Sequence, residues 1–339
     1  MTASFIKTGI VSFGLLAGLA VSAPAQTWQT INANVPGKIS GNNVHIIASD
    51  GSRLYVLGDY GVYMSTDNGD SFTPINSIQG GSYSLTNMSY RFLKYANGYL
   101  WIGSDPGSGA INNGYASLHR LAAGQTVWEK CSAGFPVGTT ANQADDIAYD
   151  SSSGTYYVAA ALGGAFVSID GLNWEQRATG LGGLGVPSSI VAYNGMAFIL
   201  RPLAQVYQTT NQGTNWIALN SHQGISSGYL LEKNGRIMFA SSGNNTLQDS
   251  FNFSDDNGAT WSHTTQLRGT ADLSEKDGIL YAAGICGGLI ETVYGRYGLK
   301  FSATDGTTWD NLPTNGLPID SFSGINTFGV IRQGNYLFT

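Results

Sequence analysis

The chain has 339 residues, 42% of them hydrophobic and 11% charged, with 46 Gly, 2 Cys, 4 His and a formal net charge of -6. The low charge excludes a charge-driven disordered chain, and the acidic balance excludes a basic nucleic-acid footprint. So few cysteines exclude a disulfide-dense scaffold or a cysteine-rich zinc module, and the scattered histidines offer no multi-histidine metal site.

The first predicted element is an address. Lys7 is the sole charge before residue 38, residues 9–21 (GIVSFGLLAGLAV) are uncharged and mostly apolar, and Ala23-Pro24-Ala25 follows as a small-x-small pattern. This order predicts a signal peptide over 1–25, cut after Ala25, and a secreted or periplasmic mature chain. No later stretch is long and apolar enough for a transmembrane helix. No Cys follows the small residues, so no lipid anchor is expected at that site. Residues 26–339 are expected to form a single domain.

The body is a repeat. Residues 65–72 (STDNGDSF), 168–174 (SIDGLNW), 209–216 (TTNQGTNW), 254–261 (SDDNGATW) and 303–309 (ATDGTTW) are variants of one turn, and 123–128 (AGQTVW) is a worn copy. The aromatic anchors Trp28, Phe72, Trp128, Trp174, Trp216, Trp261 and Trp309 recur every 42 to 56 residues. Between anchors the grammar is constant. Over 44–75 an alternating run (VHIIA) meets Asp50-Gly51, a second apolar run follows, a third ends at the Asp67 turn, and a fourth begins at Ser71. Asn97-Gly98, Asn194-Gly195, Asn234-Gly235, Asp277-Gly278 and Gln333-Gly334 recur at the first hairpin. Asn-Gly and Asp-Gly suit the positive φ angles of tight type I′ turns. Four short antiparallel strands at a period of about 47 residues describe one blade of a β-propeller. Sustained 3.6-residue periodicity is missing, which predicts almost no helix.

The turn between the third and fourth strands resembles the Asp-box, or BNR repeat, of the sialidase-like propellers, Ser/Thr-x-Asp-x-Gly-x-Thr-Trp. Residues 254–261 match it in full; 65–72 and 209–216 are near matches, with Phe72 for Trp and Asn211 for Asp; 168–174 and 303–309 are one residue shorter. The resemblance implies structural roles for Asp67, Gly69, Asp170, Trp174, Asn211, Trp216, Asp256, Trp261, Asp305 and Trp309. Physically, the Asp oxygens can accept N–H groups inside the turn, Gly supplies positive φ, and the aromatic ring packs between sheets.

Seven anchors predict an all-β, seven-bladed β-propeller with four-stranded antiparallel blades. Trp28 heads an outermost strand with no inner strands before it, and residues 325–338 look like the inner strands of one more blade. The ring is therefore expected to close through an N-terminal outer strand. Its last blade is short, lacking either its third strand or its end.

Binding and chemistry usually sit on loops held by a rigid scaffold. The face opposite the Asp-box turns, with the central channel, is the expected site. Long excursions there are 105–115, 241–250 and 286–298, joined by Tyr83 and Phe135. Candidate ligand contacts are Arg201, His222, Arg268, Arg296 and Tyr297. Candidate catalytic groups are Asp59, Asp145, Asp146, Glu291 and Tyr294. Aromatics with a few polar groups suit sugar rings.

Three functions compete. The first is a monomeric binding module for a glycan or a cell-surface protein. The second is a glycoside hydrolase, either sialidase-like or another carboxylate-based glycosidase or lyase. The sialidase resemblance implies a Tyr nucleophile paired with Glu, an acid, and three arginines on the substrate carboxylate. Here Arg53 lies at a hairpin on the wrong face, Arg201-Pro202-Leu203 is a poor echo, and Tyr294–Glu291 is the conceivable pair. The tandem-propeller xyloglucanases resemble the repeat but need two propellers. The third is an assembly or scaffold factor, similar in size and repeat to the single propeller that assists photosystem II assembly. Cys131 and Cys286 fall in distant blades, which argues against a disulfide. No cofactor is indicated. The Asp- and Asn-rich turns could hold calcium, but no loop has the regular acidic spacing of a dedicated site.

Overall fold

A computed structural model of the protein describes residues 6–9, 29–30, 44–58, 60–81, 84–86, 89–105, 118–135, 143–161, 164–182, 187–201, 205–219, 228–241, 251–264, 267, 270–284, 299–312, 330–333 and 336–339. Every regular element among them is a β-strand. Blade 1 pairs Val44–Ser49, Leu54–Gly58, Gly61–Ser65 and Thr73–Pro74 in chain order, all antiparallel. Blade 2 pairs Ser89–Ala96, Tyr99–Asp105, Leu118–Ala122 and Val127–Lys130 in the same way. It also gains Ser77–Ile78, which leaves blade 1 and runs parallel to Val127–Lys130. Blade 3 is Ala144–Asp150, Thr155–Ala160, Gly164–Ser168 and Glu175–Gln176; blade 4 is Ser189–Tyr193, Met196–Arg201, Gln205–Thr209 and Ile217–Ala218. Blade 5 is Gly228–Lys233, Arg236–Ser241, Phe251–Ser254 and Ser262–Thr264; blade 6 is Thr270–Lys276, Ile279–Gly284, Leu299–Ser302 and Asp310–Asn311.

Six blades are therefore present, not the seven that the aromatic count predicts. The remaining place in the ring holds a closing sheet of different make, ordered Gln29–Thr30, Ile6–Gly9, Tyr336–Phe338, Ile331–Gln333. Lys7 pairs with Gln29 on one side and Phe338 on the other. The third-strand position, expected to be empty, is thus filled by a segment inside the stretch read as a leader. An aromatic count cannot see this, because a closing sheet assembled from both ends carries no complete repeat.

The local grammar explains the blades. Asn97-Gly98, Asn194-Gly195, Asn234-Gly235 and Asp277-Gly278 all take positive φ, with φ of 48° to 54° at the first residue and 79° to 84° at the glycine. That is the type I′ geometry whose twist matches the flanking strands. Second strands are buried on both faces, as in Leu54–Gly58 and Thr155–Ala160. Both faces are covered because each sheet packs against two neighbours, so the core lies between blades rather than inside one. Trp101, Tyr156, Phe166 and Trp174 fill the space between blades 2 and 3. Leu337 and Val330 pack the closing sheet on blade 6, and Phe338 packs it on Leu54, Val56 and Phe72 of blade 1. The circle is closed by apolar contact as well as by strand order. Cys131 is buried and free.

Candidate functional site: the axial channel

The turns after the third strands are built from their own polar atoms. Asp256 Oδ1 accepts Ser254 Oγ at 2.7 Å and Thr260 N at 2.8 Å, and its Oδ2 accepts Thr260 Oγ1 at 2.5 Å. Asp67 repeats this with Ser65 and Ser71, Asp170 with Ser168, Leu172 and Asn173, and Asn211 with Thr209 and Asn215. Burial raises the Asp67 carboxyl, but the bonds from Ser71 and Ser65 outweigh it and hold it down at about 2. The hydrogen bonds from Thr260 hold Asp256 at about 2 as well.

Asp305 departs from the sequence reading. Thr304 Oγ1 accepts Thr308 N at 2.9 Å, so Thr304 stands where the other turns carry Asp or Asn. The turn runs the full eight residues from Ser302, whose Oγ accepts Gly306 N at 2.9 Å. Asp305 takes the left-handed position (φ 51°) filled elsewhere by Asn68, Gln212 and Asn257. From there it reaches Lys233 of blade 5.

The aromatic anchors split into two kinds. The indoles of Trp128, Trp174 and Trp216 donate to the preceding blade, to Ile75 O at 2.5 Å, Cys131 O at 2.7 Å and Arg177 O at 2.8 Å. Trp261 and Trp309 donate within their own turns, to Gly258 O and Gly306 O.

A cavity of about 1060 Å³ runs along the ring axis, lined by the innermost strands of all six blades and by Val330 and Ile331. An innermost strand is a sheet edge, so its outward N–H groups face this channel and need partners. A belt of side chains supplies them. Asp146, Ser189, Tyr229 and Asp272 stand at one level of four successive strands, opposite Ala159, Leu200, Ala240 and Ala283. Asp146 accepts Ile147 N and, from the next blade, Ile190 N, both at 2.8 Å. Ser189 Oγ donates to Asp146 and accepts Leu230 N of the blade after, at 3.1 Å. Asp272 accepts its own Leu273 N at 2.9 Å and Val330 N of the closing segment at 3.1 Å. The belt ties neighbouring inner strands together. Lys94 adds a charged bond to Asp146 at 3.0 Å.

Tyr229 is the exception. Asp272 already caps the N–H that Tyr229 would meet on the next strand, and no hydrogen bond holds its hydroxyl among the described residues. The residue is 37% exposed, yet its exposed surface lies in the channel. Protein surrounds the phenol, and burial together with the Asp272 and Asp146 carboxylates pushes it up to about 12. Burial likewise raises the Asp272 carboxyl to about 7, against the pull of Val330 N, Leu273 N and Lys94.

The sequence candidates fall out as follows. Asp145 sits in the bulge at the head of its strand, hydrogen-bonded by Gln143 and 4.0 Å from Arg91 Nε. Asp146, its neighbour, belongs to the belt, so the two carboxyls have separate partners. Arg201 ends the second strand of blade 4 and is buried. Phe135 is core, stacked on Phe166 at 4.3 Å. Arg53 bonds Asp50 at 2.8 Å in the first hairpin of blade 1. Asp59, His222, Arg268, Glu291, Tyr294, Arg296 and Tyr297 lie outside the described residues, as do Trp28, Tyr83, Cys286 and nearly all of the three excursions. Sequence reasoning missed Lys94, Ser189, Tyr229 and Asp272. The available signal was position: Ser189, Tyr229 and Asp272 each stand five residues before an Asn-Gly or Asp-Gly hairpin.

Among solved structures, the chain is similar to the extracellular domain of a one-component system from B. thetaiotaomicron, with a TM-score of 0.63 and 15% identity over 88% of this chain and 39% of that one. It is similar to an ancestral GH74 enzyme, with a TM-score of 0.57 and 14% identity over 87% of this chain and 45% of that one. It is also similar to YCF48 bound to a D1 peptide, with a TM-score of 0.55 and 15% identity over 87% and 91% of the two chains. The chain is a β-propeller. It spans less than half the length of the first two relatives, and at these identities the likeness establishes the fold alone. No family profile and no curated protein sequence matches the chain. Among the described residues, no helix is long and apolar enough to cross a membrane, and no cluster of three His, Cys, Asp or Glu side chains could hold a metal ion.

Proposed function

We propose that the protein is a secreted Asp-box propeller that binds a glycan through its axial channel and the loop-bearing face around it. The observation that carries this reading is the channel itself. It is a cavity of about 1060 Å³ lined by Tyr95, Tyr149 and Tyr229 among other side chains, and among the described residues no hydrogen bond holds the Tyr229 hydroxyl while Asp146, Ser189 and Asp272 tie the inner strands together. A few fixed polar groups and an aromatic face in a preformed concavity suit a sugar, whose ring faces are apolar and whose hydroxyls need partners.

The order of charge, apolar run and small residues over 1–25 supports export, while the same stretch also carries Ile6–Gly9 of the closing sheet. The extracellular domain among the similar structures agrees with that compartment, and YCF48, another of them, is bound to a D1 peptide. The partners of Asp146 favour binding over hydrolysis. A carboxylate that receives two backbone N–H groups, a serine hydroxyl and a lysine is committed to the scaffold. A general acid or nucleophile needs to reach substrate instead.

The test is incubation of the protein with sialylated, acidic and neutral glycans, with retention read by affinity chromatography and products by mass spectrometry. Retention without cleavage is expected. Cleavage of any glycan would turn the reading to a glycoside hydrolase such as the GH74 relative, and retention of none would turn it to a protein partner.

A further inference from the structure

The channel lining is unbalanced in charge. Its bases are Arg91 and Lys94, and each is engaged: Arg91 with Gln143 at 2.6 Å and beside Asp145, Lys94 with Asp146 at 3.0 Å. The carboxyls of Glu232, Asp272 and Glu275 also line the cavity; among the described residues no lining base forms an ion pair with them, and Lys94 reaches Asp272 through its field alone. Glu232 and Glu275 each accept one hairpin N–H at 2.8 Å, and Asp272 accepts two N–H groups. Neutral donors offset part of a carboxylate's charge and leave its field in place. Tyr229 stands beside Asp272 in this field, and among the described residues no hydrogen bond holds its hydroxyl. Ser188 Oγ and Ser274 Oγ, on two lining residues, are themselves shielded from the channel and have no hydrogen-bond partner among the described residues. The same level carries Ile46 on the wall that blade 1 contributes and Phe92 on that of blade 2. Among the described residues the site therefore combines an apolar wall, an aromatic ring whose hydroxyl no hydrogen bond holds, and an excess of carboxyls over bases in the lining.

We propose that the axial channel, at the level of Tyr229 and Asp272, binds a sugar carrying a protonated amine: a hexosamine unit of a glycan. The inference rests on the glycan reading above and narrows it. A neutral sugar would use the ring and its hydroxyl but leave the carboxyl excess unanswered. An ammonium group on the same ring answers both. Among the described residues, the charged and titratable groups that act on Asp272 are Tyr229 on the preceding strand and Lys94 and Asp146 across the channel. Burial, with a smaller push from the Asp146 carboxylate, disfavours ionisation of Asp272, and an incoming cation relieves it.

The test uses the full chain, near neutral pH, with two probes that differ in one group: glucosamine oligosaccharide with free amines and the same oligosaccharide fully N-acetylated. Isothermal titration is expected to show the free amine binding tighter by about tenfold or more, the size of one charge-assisted contact. Glu275→Gln and Asp272→Asn are each expected to shrink that ratio toward one, and Tyr229→Phe to weaken both probes by about threefold, a single neutral hydrogen bond. Circular dichroism melts confirm that each variant is folded, and Glu275→Gln keeps the test open should Asp272→Asn unfold the closing sheet. Equal binding of the two probes would overturn the amine while leaving the glycan reading intact. Binding of spermidine as tight as the amino-oligosaccharide would overturn the sugar. Binding of neither oligosaccharide would overturn the inference, and the glycan panel would then decide separately whether the broader reading survives.

Discussion

Asp67 and Asp146 are both aspartates whose oxygens are engaged by hydroxyls and backbone N–H groups, but they hold different things together. Asp67 closes a turn with Ser65 and Ser71, partners two and four residues away. Asp146 joins blade 3 to blade 4, with partners 43 and 44 residues on. The first kind of role was legible because its partners are local and its spacing repeats. The second was not, because nothing near Asp146 in the chain announces Ser189 or Ile190. Asp305 shows the limit even of local pattern: the Asp-Gly pair mimics the motif one residue out of register, while Thr304 does the bonding. For Asp67 the sign of the pH effect follows from its depressed value. The ordinary carboxylate lies near 3.8 and the folded one at about 2, so the stabilisation is complete above about pH 4 and is lost as pH falls through 2. Asp67→Asn keeps an acceptor in the turn but cannot titrate. Urea midpoints measured in steps between pH 4 and pH 2 are expected to fall less steeply for Asp67→Asn than for the parent chain. Parallel curves would mean that the carboxylate has no such linkage.

Strands and hairpins were the most legible elements, since each is specified by residues in immediate contact along the chain. The joints between blades were less so. Trp174 N donates to Ala133 O at 2.8 Å and Trp216 N to Thr179 O at 2.8 Å, and in each case a glycine follows the acceptor. Gly134 (φ 92°) and Gly180 (φ 86°) bring their Cα atoms so near the Trp174 and Trp216 carbonyls that an added Cβ would lie 1.9 Å and 2.1 Å from the oxygen. With the neighbour a main-chain atom, no rotamer change can relieve the overlap. Gly134→Ala is therefore expected to lower unfolding free energy by more than about 2 kcal/mol, combining left-handed strain with displacement of the joint. Gly195→Ala is the control. It also sits at positive φ (79°), but nothing lies within 4 Å of its added Cβ. Only the strain of about 1 kcal/mol applies there. Equal costs in urea titration would show that the joint yields freely.

At the scale of the whole molecule, the period of the aromatic anchors gave the ring and missed its closure. Six blades are each made by one continuous run of chain, so their repeat is visible. The closing sheet borrows from both ends, and its third strand, Ile6–Gly9, carries no anchor. That strand stands between Gln29–Thr30 and Tyr336–Phe338, pairing with each. Its position has a direct consequence if residues 1–25 are removed. Gln29–Thr30 would lose its sheet neighbour, and the strand carrying Leu337 and Phe338, both fully buried in the intact chain, would become a bare edge. A protein beginning at residue 26 is therefore expected to melt at a lower temperature than the full chain. Its amides at 29–30 and 336–338 should exchange faster with deuterium, while the inner strands of blades 3 to 5, two or more sheets away, keep their protection. The bare edge should also promote self-association at high concentration, which light scattering would register. Unchanged protection at 336–338 would show that the ring does not depend on Ile6–Gly9 for its closure. Loss of protection spread evenly over all blades would show that the ring unfolds as a single unit, with the closing sheet as its keystone.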